Sequence, residues 1–372
     1  MKNMQRQQQE EEEEEEEGTA APQTKATETA SVVLESAEFI AGRAEHVSVP
    51  AEGVVSAARK LHEVRKKGRF SLQTWSQHAL NPKDKTKATV DWIFLVDTLN
   101  FSFWSESEER PFAVAYRGNT YTGYWSLCAA VNRALEEGIP FTSAEYMRDV
   151  SKEKLRHIFR SETEEELPML EERVGVLNEA GSVLLRRFQG SFVNCIAEAG
   201  GNALLLLDLI VKNFSSYRDE AQYHDRTVKF YKRAQILIAD LWACFAGASF
   251  GSFSDIEHIT MFADYRVPQG LLYFGALKYS NELLEQLTEG HLFHSGDELE
   301  VEIRGCSIWA VELIRREMAR LEKEEEGQDT KEEWKSHPLN AIVIDFYLWD
   351  SAKENASLMK HLPIHRVRSI YY

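Results

Sequence analysis

The chain has 372 residues, of which 43% are apolar and 28% are charged, as in a soluble protein with a large hydrophobic core. Its net charge is −17, and residues 1–30 contribute three basic and nine acidic side chains, a net of −6. The remaining residues therefore carry −11, so they lack the broad basic face that binds duplex DNA or RNA. A small basic pocket for one phosphate is compatible with this charge.

The segment 1–30 is rich first in Gln, then in Glu, then in Ala, Thr and Ser. Such a segment cannot bury enough apolar surface to offset its ordering entropy, so we predict a disordered acidic tail. No apolar run follows a basic start, so we predict no secretory signal and expect a cytoplasmic protein, with association with an organelle left open. We place the folded domain at 31–372.

Apolar residues at helical spacing predict helices over 54–67 and 74–80. Residues 90–103 are almost continuously apolar and aromatic, which predicts burial. Residues 112–122 alternate in a β-rich pattern around Arg-Gly-Asn, which predicts a hairpin. From Tyr124 onward the period is helical, which predicts helices near 124–137, 143–150, 151–160, 168–188, 191–199, 202–213, 228–246, 254–262, 268–277, 280–288, 298–323 and 338–352, with a charged loop or frayed helix end over 322–333.

These elements predict a mostly α fold with a small β-hairpin element, built as a single globular helical domain. The strongest apolar stretch, 203–211, is short and is interrupted by Asp208, so we interpret it as a buried helix rather than a membrane span. The four cysteines are far apart and form no C-x-x-C, which is typical of a reducing compartment and of neither a zinc knuckle nor a disulfide framework. No G-x-G-x-x-G or Walker loop is present.

Two polar groups within apolar surroundings are candidates for ligand recognition. His78 lies between a tryptophan and a proline, where either a ligand contact or a half-buried helix end explains it. Asp97, Asn100 and Trp104 recur at helical spacing, so they share a face that suits a planar heterocycle. The alternative is an aromatic core helix, in which a buried Asp97 still needs a partner.

Two further segments suggest anion binding and acid chemistry. Lys229, Lys232 and Arg233 lie at the start of an apolar helix, where they either hold a phosphate or form a solvated basic end. Asp264 follows an apolar run and precedes Tyr-Arg-x-Pro. A carboxylate there is either an N-cap or an ionised group that stabilises a developing sugar cation. We interpret 302–309 and 345–350 mainly as core, with Arg304 as a partner for a buried acid.

Several motifs together resemble the queuosine salvage protein family, the queuosine 5′-phosphate N-glycosylase/hydrolases. The resemblance runs from about Ser31 to Tyr372 and leaves out the acidic tail. It rests on Trp75-x-x-His78-x-Leu-Asn-Pro, Asp97-Thr-Leu-Asn-Phe-Ser-Phe-Trp104, Tyr231-Lys-Arg-Ala-Gln-Ile-Leu237, Thr260-Met-Phe-Ala-Asp-Tyr-Arg266, Glu302-Ile-Arg-Gly-Cys-Ser307 and His365-Arg-x-Arg…Ile-Tyr-Tyr372.

The resemblance implies a helical fold similar to helix-hairpin-helix DNA glycosylases, with Asp264 as the catalytic aspartate. It implies substrate contacts by His78, Asn100, Phe101, Trp104, Lys232 and Tyr265. The substrate would be queuosine 5′-monophosphate, released as queuine and ribose 5-phosphate without a metal or organic cofactor. We expect Asp97 to bind the secondary amine of the queuine side chain, and Lys232, with Arg233 or Lys229, to bind the phosphate.

Two alternatives compete with this interpretation. A DNA-repair glycosylase shares the same layout but needs a basic face for duplex DNA, which the −11 charge opposes. A non-catalytic helical scaffold explains each motif as core packing, with the tail as a binding site for partners. Membrane insertion is not expected, and the oligomeric state does not follow from the sequence.

Overall fold

The computed structural model describes residues 24–70, 72–106, 109–325 and 338–372. The predicted tail lies mostly outside the described residues, as does most of the predicted charged loop at 322–333. The first described helix begins at Thr24, before the predicted start of the folded domain at 31. In the described part of the chain, no helix is long and apolar enough to cross a membrane.

The fold is mostly helical, which confirms the predicted class at this level. Most predicted helices are present with boundaries shifted by a few residues. The helices are α1 (Thr24–Ala41), α2 (Ala51–Lys66), α3 (Gln73–Gln77), α4 (Lys87–Thr98), α5 (Tyr124–Glu136), α6 (Ala144–Arg148), α7 (Lys152–Ile158), α8 (Leu170–Arg187), α9 (Phe192–Ala199), α10 (Ala203–Asn213), α11 (Lys232–Cys244), α12 (Val267–Phe274), α13 (Asn281–Thr288), α14 (Glu298–Glu325), α15 (Ala341–Glu354) and α16 (Ala356–Met359).

The strands are short and pair two by two. The predicted hairpin is present as β2 (Ala113–Tyr116) and β3 (Asn119–Thr122), and a second antiparallel hairpin joins β4 (Glu220–Tyr223) to β5 (Arg226–Lys229). The sequence pattern does not predict this second hairpin, because its turn is His224-Asp225 and lacks the Asn-Gly or Asp-Gly signal. The helix predicted over 228–246 accordingly begins only at Lys232. The remaining pairs are β1 (Val47–Ser48) with β6 (Lys278–Tyr279), antiparallel, and β7 (Leu292–Phe293) with β8 (Arg366–Val367), parallel.

The helix predicted over 254–262 is wrong. Residues 256–258 form one 3₁₀ turn, and the chain then runs without regular structure to the start of α12. Distant side chains take the backbone N–H groups that a helix would use: Thr260 N–H donates to Gln235 Oε1 (2.9 Å) and Phe262 N–H to Asp345 Oδ2 (2.9 Å). We call residues 259–266 the aspartate loop, because Asp264 lies in it.

Helix α11 is buried along almost its whole length and packs against α3, α4 and α10. The long helix α14 packs against α1, α2 and α15. The core formed by these contacts is contiguous from Val33 to Tyr372. It brings the end of α4, the start of α11, the aspartate loop and α15 around one cavity.

Candidate active site

The cavity has a volume of about 970 Å³. Seven of the eight predicted site residues line it: His78, Asn100, Phe101, Trp104, Lys232, Asp264 and Tyr265. These residues come from four separate stretches of sequence, which the fold gathers at one place. Asp97 does not line the cavity.

Asp264 serves both as a helix cap and as a cavity carboxylate. Its Oδ1 accepts hydrogen bonds from the N–H groups of Arg266 and Val267, both at 2.8 Å, at the start of α12. Within the described part of the chain, Oδ2 has no hydrogen-bond partner. Burial raises the pKa of Asp264, while the Lys232 charge and the two amides act in the opposite direction. The two interpretations of this residue are therefore compatible.

A second carboxylate, Asp345, also lines the cavity, near enough to Asp264 to feel its charge. Its Oδ2 accepts the Phe262 N–H, and its side chain is 4% exposed. Burial, and then the negative charge of Asp264, raise the pKa of Asp345 well above its ordinary value. Two amide donors and the Lys232 charge favour the ionised form of Asp264, whereas the charge of Asp264 adds to burial in disfavouring ionisation of Asp345.

Lys232 is the first residue of α11 and follows Tyr231, which has a left-handed backbone (φ 51°). Its Nζ donates to the carbonyl oxygen of Asn100 (3.2 Å) and to Asn100 Oδ1 (3.4 Å). Burial lowers the pKa of Lys232, and the charges of Asp264 and Asp97 oppose that change. An ammonium has three donors, so one remains for a ligand.

The structure does not support the expectation that Arg233 or Lys229 assists Lys232, because neither residue lines the cavity. Arg233 is buried outside the cavity, where Nη1 donates to the carbonyl oxygen of Thr98 (2.5 Å) and Nη2 to that of Ser216. Lys229 lies in β5 and does not line the cavity.

Asp97 is fully buried behind Asn100, and its predicted contact with a ligand is not supported. Its Oδ1 accepts from Asn100 Nδ2 (3.2 Å), while Oδ2 has no partner in the described structure. Burial raises the pKa of Asp97 to about 7. The predicted common helical face is wrong, because the helix ends at Thr98 and Asn100 and Trp104 lie beyond it. Asp97 and Asn100 therefore differ in what they face. Asp97 acts on the cavity indirectly, through Asn100 and the charge of Lys232.

His78 is a neutral stacking group. Its ring lies parallel to that of Trp125, with centroids 3.3 Å apart, and Nδ1 accepts the Leu80 N–H (3.3 Å). Burial and the nearby charges of Lys353 and Lys83 lower its pKa to about 4. The imidazole is therefore uncharged at neutral pH, with its proton on Nε2.

Trp104 lines the cavity and is 9% exposed. Its Nε1 donates to the carbonyl oxygen of Val367 (2.9 Å), and the Arg368 guanidinium lies 3.4 Å from the ring centroid. One face of the indole is therefore occupied by a cation. The Arg366 guanidinium also lies 5.8 Å from the ring centroid, so two cations surround this indole.

Comparison with known proteins gives the family. The model of the queuosine salvage protein family matches residues 80–372. The chain belongs to this family. The queuosine 5′-phosphate N-glycosylase/hydrolase of Mus musculus is 52% identical over 339 residues, which cover 91% of this chain and 98% of the relative. The protein of that name from Schizosaccharomyces pombe is 40% identical over 361 residues, covering 92% and 100%, and that from Dictyostelium discoideum is 31% identical over 350 residues, covering 92% and 99%.

This member of the queuosine salvage family has three further cavity acids, which the sequence pattern does not distinguish from core residues. Asp240, Asp345 and Asp350 all line the cavity. Burial raises the pKa of Asp350 to about 6, with Lys353 acting against it. The sequence contains a signal for the acids of α15. Asp345 and Asp350 lie inside an aromatic helix, and the same feature made Asp97 a candidate.

The cavity also holds a cation and an aromatic surface that were missed. Lys353 lies 3.8 Å from the centroid of Trp349 and lines the cavity beside Asp350. Burial, and then the charge of Arg266, lower its pKa to about 8. Among the described residues, no three or more His, Cys, Asp and Glu side chains are grouped so that they could bind a metal ion.

Proposed function

We propose that this protein is a hydrolase that cleaves the N-glycosidic bond of queuosine 5′-monophosphate and releases queuine and ribose 5-phosphate. One observation carries the proposal: Asp264, the aspartate of the family motif, lines an aromatic cavity next to Lys232, and its Oδ2 has no hydrogen-bond partner among the described residues. The names of the relatives, at 31–52% identity over most of the chain, support the same substrate.

The chemistry of the base explains why the carboxylate matters. A 7-deazaguanine has carbon in place of N7, so protonation at N7 cannot activate it for departure. Catalysis then depends on stabilising positive charge on the sugar and on hydrogen bonds to the leaving heterocycle. Asp264 meets the first need, as an electrostatic stabiliser, as a nucleophile or as a group that orients water. Asp345 is proposed to meet the second as a hydrogen-bond donor to the base, because burial and the Asp264 charge raise its pKa and favour its protonated form.

The secondary amine of the queuine side chain is cationic near neutral pH and needs a carboxylate. We propose Asp350 for this role in place of Asp97, because Asp350 lines the cavity and Asp97 does not. The third donor of Lys232 is proposed to bind an anionic oxygen of the nucleotide. The reaction uses water and needs neither a metal nor an organic cofactor.

We also infer the arrangement of a helix-hairpin-helix glycosylase. Lys232 begins a buried helix, and Asp264 lies in the irregular loop that follows, which is the order of groups in those enzymes. Superposing α11 and the aspartate loop on such a glycosylase tests this. A different placement of the lysine and aspartate around the cavity would contradict it.

The setting of the reaction is proposed to be queuine salvage for tRNA modification in the cytoplasm, without binding to duplex nucleic acid. All four cysteines are buried and free, which supports a reducing compartment. The acidic charge of the chain supports a free nucleotide rather than a duplex as substrate.

The deciding experiment incubates the purified protein with queuosine 5′-monophosphate, guanosine 5′-monophosphate or lesion-bearing duplex DNA, and detects free base by mass spectrometry. Asp264→Asn is the matched control. We expect queuine from the wild type with the first substrate alone. Release from the duplex would favour a repair enzyme, and no release together with no queuine-dependent thermal shift would favour a scaffold.

A further inference from the structure

A buried ion pair lies behind the cavity, formed by residues with no part in the chemistry above. Arg304 Nη1 and Nη2 donate to Asp219 Oδ1 (2.9 Å) and Oδ2 (2.5 Å). Both side chains are almost completely buried. A bidentate pair of this kind fixes orientation as well as charge.

Each partner of the pair also holds one catalytic element by its backbone. Arg304 Nε donates to the carbonyl oxygen of Ala263 (3.0 Å), directly before Asp264. Asp219 Oδ2 accepts the N–H of Lys232 (3.1 Å), and its backbone carbonyl accepts the N–H groups of Phe230 and Tyr231. The aspartate loop and the start of α11 are therefore tied to the same pair.

The guanidinium itself has little freedom to move. It lies between the rings of Phe230 and Tyr372, 4.1 and 4.2 Å from their centroids. Glu300 Oε1 accepts from Arg304 Nη1 (3.3 Å) and from the Tyr372 hydroxyl (2.7 Å). Aromatic faces on both sides and carboxylates at the edge hold the Arg304 plane in one position.

We infer that the Asp219–Arg304 pair is a positioning device that sets the separation of Asp264 and Lys232. The aspartate loop has no regular structure of its own, and Tyr231 has a strained left-handed backbone, so neither element fixes itself. Lysine cannot replace Arg304, because one ammonium cannot make a bidentate pair with Asp219 and also reach Ala263. The inference rests on the proposed function for its kinetic consequences.

The same helix provides a matched control. Glu302 is as deeply buried as Arg304 and is also fully bonded, with the N–H groups of Glu45, His46 and Val47 at 2.8–3.0 Å and the Tyr223 hydroxyl at 3.2 Å. None of its partners lines the cavity. Glu302→Gln therefore disturbs a comparable buried network away from the site.

The test compares Arg304→Lys, Asp219→Asn and Glu302→Gln in the full chain. For the first two we expect kcat for queuosine 5′-monophosphate to fall about 100-fold, as misplacement of catalytic groups does, with KM changed much less. Glu302→Gln should lower the melting temperature while kcat stays near that of the wild type. Near-normal kcat in Arg304→Lys, or an equal loss of kcat in Glu302→Gln, would overturn the inference.

Hydrogen exchange provides a readout that needs no substrate. Arg304→Lys should speed amide exchange in the aspartate loop and at the start of α11, whereas Glu302→Gln should speed it near β1. If the wild type does not hydrolyse the nucleotide, the proposed function fails. The exchange rates still test whether the Asp219–Arg304 pair orders the aspartate loop and the start of α11. Unchanged amide exchange in the aspartate loop of Arg304→Lys would overturn the inference, even if the wild type is active.

Discussion

The two halves of helix α14 place similar charged side chains in opposite surroundings. In its first turns, Glu300, Glu302 and Arg304 are buried and bonded to distant segments of the chain. Near its end, Arg320 is half exposed and pairs with Glu317 and Glu324 of the same helix. A buried charge must be satisfied by specific partners, while an exposed pair is screened by water and competes with it. The effects of substitutions should therefore differ in size between the two regions.

The largest effect is expected at Asp264. Asp264→Asn should lower kcat by about 10³-fold or more, because the negative charge beside the sugar is lost. Asparagine can still accept the N–H groups of Arg266 and Val267, so its melting temperature should stay close to that of the wild type. Asp264→Ala should be equally inactive and also less stable by about 1 kcal/mol, because the cap is lost. Substantial turnover in the Asn variant, measured by queuine release, would remove Asp264 from the mechanism.

A smaller effect is expected at the aromatic wall. Trp104→Ala should weaken queuine binding by about 1–3 kcal/mol, if the indole stacks on the base. Calorimetric titration of queuine measures this. Unchanged affinity would mean that the ring serves to pack against Arg368 and Val367.

Asp97 should affect stability rather than recognition. Its pKa in the folded protein is about 7, against an ordinary value of 3.8, because of burial. Between these two values the unfolded chain releases a proton that the folded chain keeps, so stability falls as pH rises from about 4 to 7. Asp97→Asn should therefore raise the melting temperature by a few degrees at pH 8 and change it least near pH 4.

Asp350→Asn is the matched variant for the prediction that Asp97 does not bind queuine. It should weaken queuine binding, while Asp97→Asn should leave the affinity unchanged. The reverse result in calorimetric titration would mean that Asp97, and not Asp350, binds the amine of the queuine side chain.

The smallest effect is expected at the exposed end of α14. Arg320→Ala removes two ion pairs with Glu317 and Glu324, yet kcat and melting temperature should match those of the wild type within error. A clear drop in melting temperature would mean that these surface pairs act as a network and would weaken the contrast within the helix.

The sequence predicts what depends on local pattern. The period of the apolar residues is sufficient for most helices and for the first hairpin, and the motif around Asp264 selects a carboxylate that lines the cavity. The aspartate loop could not be predicted, because its N–H groups bond to Gln235 and Asp345, which are distant in sequence. Asp97 and Asp345 both lie within apolar helical runs, and their spacing does not tell which one faces the cavity.

One feature of the aspartate loop bears on selectivity among bases. Asp345 lines the cavity and also bonds the Phe262 N–H, two residues before Asp264. Any base that exchanges a hydrogen bond with Asp345 therefore also acts on the backbone that carries Asp264. We expect a poorly matched base to be penalised in the rate of bond cleavage as well as in affinity, so that a wrong nucleotide can occupy the cavity and remain intact.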